Sequence, residues 1–534
     1  MYFLRYFAKN IGQIDLLKIV LFSILLVCTV YLRITDLGYA DFYGDETKVL
    51  FLRKDVSASD FLLNQRKGPG QFMIAWLVEK ATGGYNEAYL RLPFALAGTI
   101  AVLVLFWLVY LMFDYYTALF AATLFSLNGF FIAFSRTLQY QSFVILLGLI
   151  SVTFAYLYYD SFKELDSTLN TNILNFTKLF VLDLSFGSIR LFYLLVSALF
   201  LAAGVLFHYD ALIFFIPAAY FVLIPVYKFY FTNKIYFKRV LIYALIFCGV
   251  FLFGISLFYV SYIFGGYFLT HTYNYLAKRI SGAGYVYDNG FNTHSLYNSV
   301  ISLFILYSFS VYAAFDWDNI KVRALLLWFL IPFLFLEILV SNPGTHVYLY
   351  VVPLVILAGY GINNVYINIL GARIRRVFLS ILVTLVTLVF FYNVTLFIPM
   401  YSSGYPWKTS LFGPFLLPKP DHDSHVFVYG FPYNRGWKKT HEYFEKNGMP
   451  RSFYTNDNVT IGEYYLFGSP AEIPRIDRGE FPQYFIEVLD SQEYTPADRE
   501  LLQYYDPEAY VFVKNTTVTT IYKLKPGIVK PSVY

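Results

Sequence analysis

The sequence predicts a polytopic α-helical membrane protein with about eleven transmembrane helices and a small C-terminal α/β domain on the outer side. Three observations lead there. Of 534 residues, 58% are hydrophobic and only 14% charged, with a mean hydropathy of +0.54; soluble globular chains carry about 25% charged residues. Apolar runs of membrane-crossing length recur up to about residue 397. From Tyr401 onward the charged fraction rises, Pro and Gly recur, and such runs stop. This composition excludes a soluble enzyme, a disordered or collagenous chain, and a disulfide-stapled secreted domain.

A span needs roughly 20 apolar residues. Runs of that kind lie near 17–35, 92–112, 116–134, 141–159, 189–207, 211–227, 240–263, 296–315, 324–340, 347–366 and 377–397. The first follows Arg5, Lys9 and Lys18 without a small-residue cleavage site, so it reads as an anchor. With the N-terminus in the cytoplasm, three short inner loops hold Lys228, Lys234, Lys238 and Arg239; Lys321 and Arg323; and Arg373, Arg375 and Arg376. That is the expected positive-inside bias. The outer segments are then 36–90, 135–140, 208–210, 264–295, 341–346 and everything after about 398. The chain therefore divides into a transmembrane part, 1–397, whose first outer loop is 36–90, and an extracytoplasmic part, 398–534.

In that last part His425–Tyr429 and Ala509–Val513 alternate like strands. Trp437–Asn447 has helical polarity and stops at Gly448, a plausible C-cap. The inner loop 160–188 reads as a polar connector, and Pro69–Thr82 as an amphipathic helix lying on the membrane surface. Cys28 and Cys248 sit in apolar runs and read as packing residues. A formal charge of +5 with no long basic run gives no reason to expect a nucleic-acid partner.

Five polar groups at the outer boundary could carry chemistry. Asp45 and Glu46 follow the first span among Tyr39, Phe42 and Tyr43, whose rings favour partial burial and a carboxylate able to act as a base; solvated loop acids are the plainer reading. Arg66-Lys67-Gly68-Pro69-Gly70 offers a lysine for a phosphate, with small residues that let a ligand approach, or simply a snorkelling pair of cations. Arg91 and Arg136 end spans on the same side, where a guanidinium can anchor the helix or grip a lipid phosphate. His208, Tyr209 and Asp210 stand between two spans with almost no loop, and His346 precedes the tenth at the same depth. Polar groups there need partners. A structural His–Asp bond satisfies that need. A divalent metal on His208, Asp210 and His346 is conceivable, yet nothing in the spacing requires it, and no metal site is assigned.

Taken in order, these residues resemble a known pattern: the acidic pair, Lys-Gly-Pro-Gly at 67–70, Arg-Leu-Pro-x-Ala-Leu-Ala-Gly at 91–98, Ser-Arg at 135–136, His-Tyr-Asp-Ala-Leu at 208–212, and Thr-His-x-Tyr at 345–348 before Pro353. The pattern is similar to the GT-C glycosyltransferases of the dolichyl-phosphate-mannose–protein mannosyltransferase and aminoarabinose transferase superfamily, over about residues 15–365. The resemblance implies a GT-C fold and transfer of a sugar from a polyprenyl-phosphate carrier to a glycan, lipid or protein acceptor outside the membrane. It implies Asp45 as catalytic base and Glu46 as a group holding the acceptor or orienting the site. It also implies Arg136 as an arginine needed for activity and Lys67 as a neighbour of the carrier phosphate. Arg91, His208, Tyr209, Asp210 and His346 complete the expected substrate side. Two positions depart from the pattern. Gln139 and Gln141 stand where many relatives carry an acid, and Arg66 stands where the aminoarabinose branch has a metal-binding acid.

A lipid phosphate leaves readily, so one base and cations for the phosphate suffice, without a strong general acid. A single displacement inverts the anomeric carbon. A transporter or lipid flippase is the alternative from another class. It would favour ionisable residues in broken mid-membrane helices and inverted repeats, and neither is evident. A non-catalytic scaffold would leave the clustered outer Asp, Lys and Arg without a use.

Overall fold

The computed structural model describes residues 15–50, 57–83, 86–162, 176–282, 289–369, 371–401, 429–468, 481–489, 491 and 498–528. Every one of the eleven apolar runs is helical. Among the described residues nine helices are long and apolar enough to cross a membrane. Tyr115–Leu127 and Gly129–Ser135 meet the same criterion only as a pair, across a 63° bend. The remaining run, 296–315, yields Val300–Ala314, a helix of 15 residues. At 1.5 Å per residue it is shorter than the roughly 30 Å of hydrocarbon. The chain is an integral membrane protein.

The break at Asn128 corrects the expectation of unbroken spans, and its cause is local. Asn128 ends one helix and caps the next by accepting from Phe130 N–H. Its amide nitrogen meets His294 at 3.0 Å, and Asn298 accepts from Gly129 N–H at 2.9 Å. The freed backbone is thus paired with side chains from the 290–298 segment. A second correction concerns 160–188: a helix runs from Phe176 to Phe207, so the connector is shorter than its polarity suggests.

Burial ranks the helices. Tyr348–Asn368 is the axis, with 89% of its span buried, whereas Leu16–Ile34 lies at the edge with 22%. Close contact at the axis needs glycine: a Cβ on Gly359 would stand 2.6 Å from Ala121 N, and one on Gly361 2.2 Å from Phe309 O. Arg33, fully buried near the end of the edge helix, donates to Ser126 O at 3.0 Å.

After the last span, Ala372–Phe397, the described chain resumes at Tyr429. The helix Trp437–Asn447 forms within its expected bounds and ends at Gly448, whose φ is +97°. Four strands follow: β1 (Phe453–Thr455), β2 (Tyr484–Val488), β3 (Tyr505–Val513) and β4 (Thr516–Leu524). Their order is β1-β2-β4-β3, with β1 parallel to β2 and the other pairs antiparallel. The expected strand 509–513 falls inside β3. The expected strand 425–429 lies outside the described residues except for Tyr429.

This C-terminal region rests on the loop that follows the first span. Asp41 accepts from Arg435 N–H at 2.7 Å, and Arg435 pairs with Asp457 at 3.0 Å. Tyr465 donates to Glu87 at 2.5 Å and receives Phe42 N–H at 3.1 Å. The acidic pair is therefore held between the helix ends and the sheet region.

Candidate functional site

The acidic pair opens a short 3-10 helix, Gly44–Val49. Gly44 has φ +53°, a left-handed conformation suited to glycine, and the turn sends the two carboxylates to different places. Glu46 is completely buried. It accepts from Tyr43 N–H at 2.9 Å and Leu138 N–H at 2.8 Å, and it takes Arg91 through Nε and Nη2, each at 2.8 Å.

Arg91 is filled to capacity. Its other donors go to the carbonyls of Leu37 at 2.9 Å, Ala40 at 2.8 Å and Asp41 at 3.0 Å. A guanidinium has five N–H groups, and all five are spent on the protein. Arg91 therefore fixes the loop 37–46 to its helix and has no donor left for a phosphate, contrary to the sequence expectation. Glu46, saturated in the same way, has no lone pair aimed at an acceptor.

Asp45 differs. Its side chain is 33% exposed and bridges two lysines: Lys67, 9% exposed, at 2.9 Å, and Lys48 at 2.5 Å. Burial works to raise its carboxyl pKa, but the two ammonium groups outweigh burial and hold it well below the usual carboxylate range. For Lys67 burial wins, and its pKa is lowered despite Asp45. A carboxylate ionised at neutral pH thus lies against a lysine for which burial makes the charge costly.

The glycines beside Lys67 serve packing. A Cβ on Gly68 would lie 2.1 Å from Leu206 O, and one on Gly70 2.6 Å from the Phe207 ring. They let the loop press against the end of the Phe176–Phe207 helix, which sets the height of Lys67. The helix that follows, Gly70–Thr82, turns Met73, Trp76 and Leu77 outward while Phe72 and Ala75 are buried, the two-sided pattern its sequence implies.

From Lys67 a continuous line of side chains runs to the histidines. Its Nζ stands 4.8 Å from the centre of the Tyr140 ring. Tyr140 stacks on His208 at 3.9 Å with 5° between the planes, and Tyr209 packs against the same imidazole at 3.9 Å. Asp210 receives three side chains. His346 Nδ1 lies 2.7 Å from Oδ2, Tyr348 donates to Oδ2 at 2.7 Å, and His208 Nδ1 is 3.1 Å from Oδ1. One donor atom each from His208, Asp210 and His346 falls within 4.8 Å of the others, which makes this the group able to hold a cation among the described residues. Arg66, in contrast, stacks 4.1 Å from the Tyr275 ring. That guanidinium does not fit a metal beside Lys67.

Arg136 follows the helix Gly129–Ser135 and donates to Leu32 O at 3.0 Å. Burial and nearby Arg91 pull its pKa down to about 10, so it stays charged at neutral pH. It lines a small pocket with Asp36, Asp41, Glu46 and Arg91, whose wall also includes Phe431 and Tyr433. Asp45 and Lys67 are not part of that wall. Asp45 and Arg136 nevertheless share one end of the helix bundle: Glu46, next to Asp45, binds the backbone of Leu138, two residues from Arg136. Gln139 and Gln141 are buried, and Gln141 has no hydrogen-bond partner for either amide atom among the described residues.

Two tyrosines of this line carry no sequence signal of their own: Tyr348 ends the 345–348 motif, and Tyr140 stands between Gln139 and Gln141. In so aromatic a chain a single tyrosine is not distinctive.

No family model matches the chain, and no curated protein matches it. Solved structures do. The archaeal oligosaccharyltransferase AglB of Archaeoglobus fulgidus, solved with an inhibitory peptide and a dolichol-phosphate, superposes with a TM-score of 0.51 at 12% identity, covering 97% of this chain and 75% of that one. ArnT of Cupriavidus metallidurans, solved with undecaprenyl phosphate, gives a TM-score of 0.54 at 10% identity, covering 96% and 99%. At such identities the likeness is one of fold. The chain has the GT-C membrane architecture, with a small four-stranded sheet at its C-terminus.

Proposed function

We propose that this protein is a glycosyltransferase that moves a sugar from a polyprenyl-phosphate carrier to an acceptor hydroxyl on the outer side of the membrane, with inversion. Asp45 takes the hydroxyl proton as the acceptor oxygen attacks the anomeric carbon. The bond from that carbon to the phosphate oxygen breaks, and its electron pair leaves with the lipid phosphate. Lys67 receives that anion, with Arg136 adding positive charge at the same end of the bundle.

The observation that carries the reading is the Asp45–Lys67 pair at 2.9 Å, part-exposed at the bundle end where Glu46 and Arg91 are locked. Paired to two lysines, Asp45 is ionised but weakly basic. An arriving phosphate competes for Lys67, and a carboxylate deprived of that partner gains basicity when the acceptor needs it. The likeness to AglB and ArnT, both solved with a polyprenyl phosphate, agrees with such a donor. Inner loops rich in lysine and arginine support an outward-facing site.

The test is release of free polyprenyl phosphate from a sugar-charged carrier by the purified chain. A glycosyltransferase releases it in proportion to acceptor glycosylated. Movement of intact carrier between leaflets, with no release, would identify a flippase and end the proposal.

A further inference from the structure

We infer that His208, Asp210 and His346 form a binding site for one first-row divalent cation, zinc being the best match to two imidazoles and a carboxylate. They come from two distant parts of the chain: His346 and Asp210 are 136 positions apart, yet Nδ1 and Oδ2 meet at 2.7 Å. All three residues are buried, with side chains 3%, 4% and 11% exposed for His208, Asp210 and His346. Two imidazole nitrogens and one carboxylate with a further position open is a common ligand set for zinc.

His208 Nδ1 accepts Asp210 N–H at 3.2 Å and lies 3.1 Å from Asp210 Oδ1. A buried carboxylate is costly unless positive charge or donors meet it, and a cation placed between the carboxylate and the two imidazoles would supply that charge. Nδ1 carries one in-plane lone pair, so a cation bound there would take the place of the Asp210 N–H. Tyr348, donating to Asp210 Oδ2, orients the carboxylate from behind, as outer partners of metal ligands do. Glu46, the buried acid on the other branch of the site, is consumed by Arg91, which leaves Asp210 as the carboxylate for a metal.

The ion's place gives it a use, and this part rests on the proposed function. His208 stacks on Tyr140, and Tyr140 lies beneath Lys67. The cation would add positive charge behind the lysine that meets the departing phosphate.

The experiment is zinc binding by the full-length protein in detergent, by metal analysis after dialysis and by competition with a zinc-sensitive dye. Wild type should hold one zinc per chain. Asp210→Asn and His346→Gln should each weaken binding at least about tenfold, and Tyr348→Phe by about tenfold. Cobalt in place of zinc should give a visible ligand-field band that Asp210→Asn abolishes. Because Asp210→Asn could disturb folding, each variant is compared at equal helical content by circular dichroism, and Tyr348→Phe serves as the milder second variant. Wild type binding no more zinc than folded Asp210→Asn would overturn the proposal and leave a proton-linked His–Asp–His cluster. Asp45→Asn should bind zinc as wild type does. Zinc binding with no sugar transfer would sink the proposed function alone, and transfer without zinc binding would sink this site alone.

Discussion

Asp45 and Glu46 are adjacent in sequence and opposite in circumstance. Glu46 has no exposure, two backbone donors and a two-pronged arginine whose remaining donors also go to the protein. Asp45 has a third of its side chain exposed and is held by two lysines, single-headed and flexible cations. Burial with complete pairing makes a residue structural. Part exposure with an exchangeable partner makes it available for chemistry. A pair of carboxylates that reads as one motif is thus two devices, one that builds the loop and one that can react.

The first way to break this contrast is Arg91→Ala. It strands Glu46 as a buried charge and frees the carbonyls of Leu37, Ala40 and Asp41, so a loss of about 3–5 kcal/mol of stability is expected. It should appear as a lower melting temperature and poor recovery from membranes, and Arg91→Lys should not rescue it because one ammonium cannot replace the five-donor fork. A stable, inactive Arg91→Ala would instead place that arginine in the chemistry.

Lys67→Met comes next. Transfer should fall about 10²–10³-fold, the usual effect of losing one preorganised group at developing charge, while the melting temperature changes little. The pH profile sharpens the point. The wild-type carboxylate is held low by Lys67 and Lys48 against the opposing effect of burial. Activity that needs the ionised form is therefore kept above that low value and lost as pH falls through it. Once phosphate has taken Lys67, the carboxyl rises, so the acidic limb of kcat should lie at higher pH than that of kcat/KM. Coincident limbs would argue against exchange of the lysine between carboxylate and phosphate.

Lys48→Ala is the smallest expected change. That pair is more than a third exposed on the lysine side, so its loss should cost under about 1 kcal/mol. It should also raise the Asp45 carboxyl and move the acidic limb of kcat/KM upward. A large loss of stability would show that Lys48 belongs to the framework.

Much of the fold was legible because the solvent writes it into the chain. Each apolar run became a helix, and the stop at Gly448 and the strand at 509–513 followed local pattern. What escaped depends on distant partners. The break at Asn128 is satisfied by Asn298, 169 positions from Gly129, and the loop at Asp41 is tied to Arg435, 394 positions away. The site residues gathered at one end as their positions beside spans suggested. Their division into saturated and available groups did not show, since Arg91 and Arg136 look alike in sequence and differ in how many acceptors surround them. Gly68 and Gly70 were legible as close-approach positions, but the neighbour is a helix end rather than a ligand.

The central claim is tested most directly by Asp45→Asn in membranes supplied with sugar-charged polyprenyl phosphate and acceptor. The substitution keeps the size of the side chain and removes its ability to accept a proton. Transfer should drop by about 10²–10⁴-fold at wild-type protein level and melting temperature. Transfer at the wild-type rate would mean that this carboxylate is not the base.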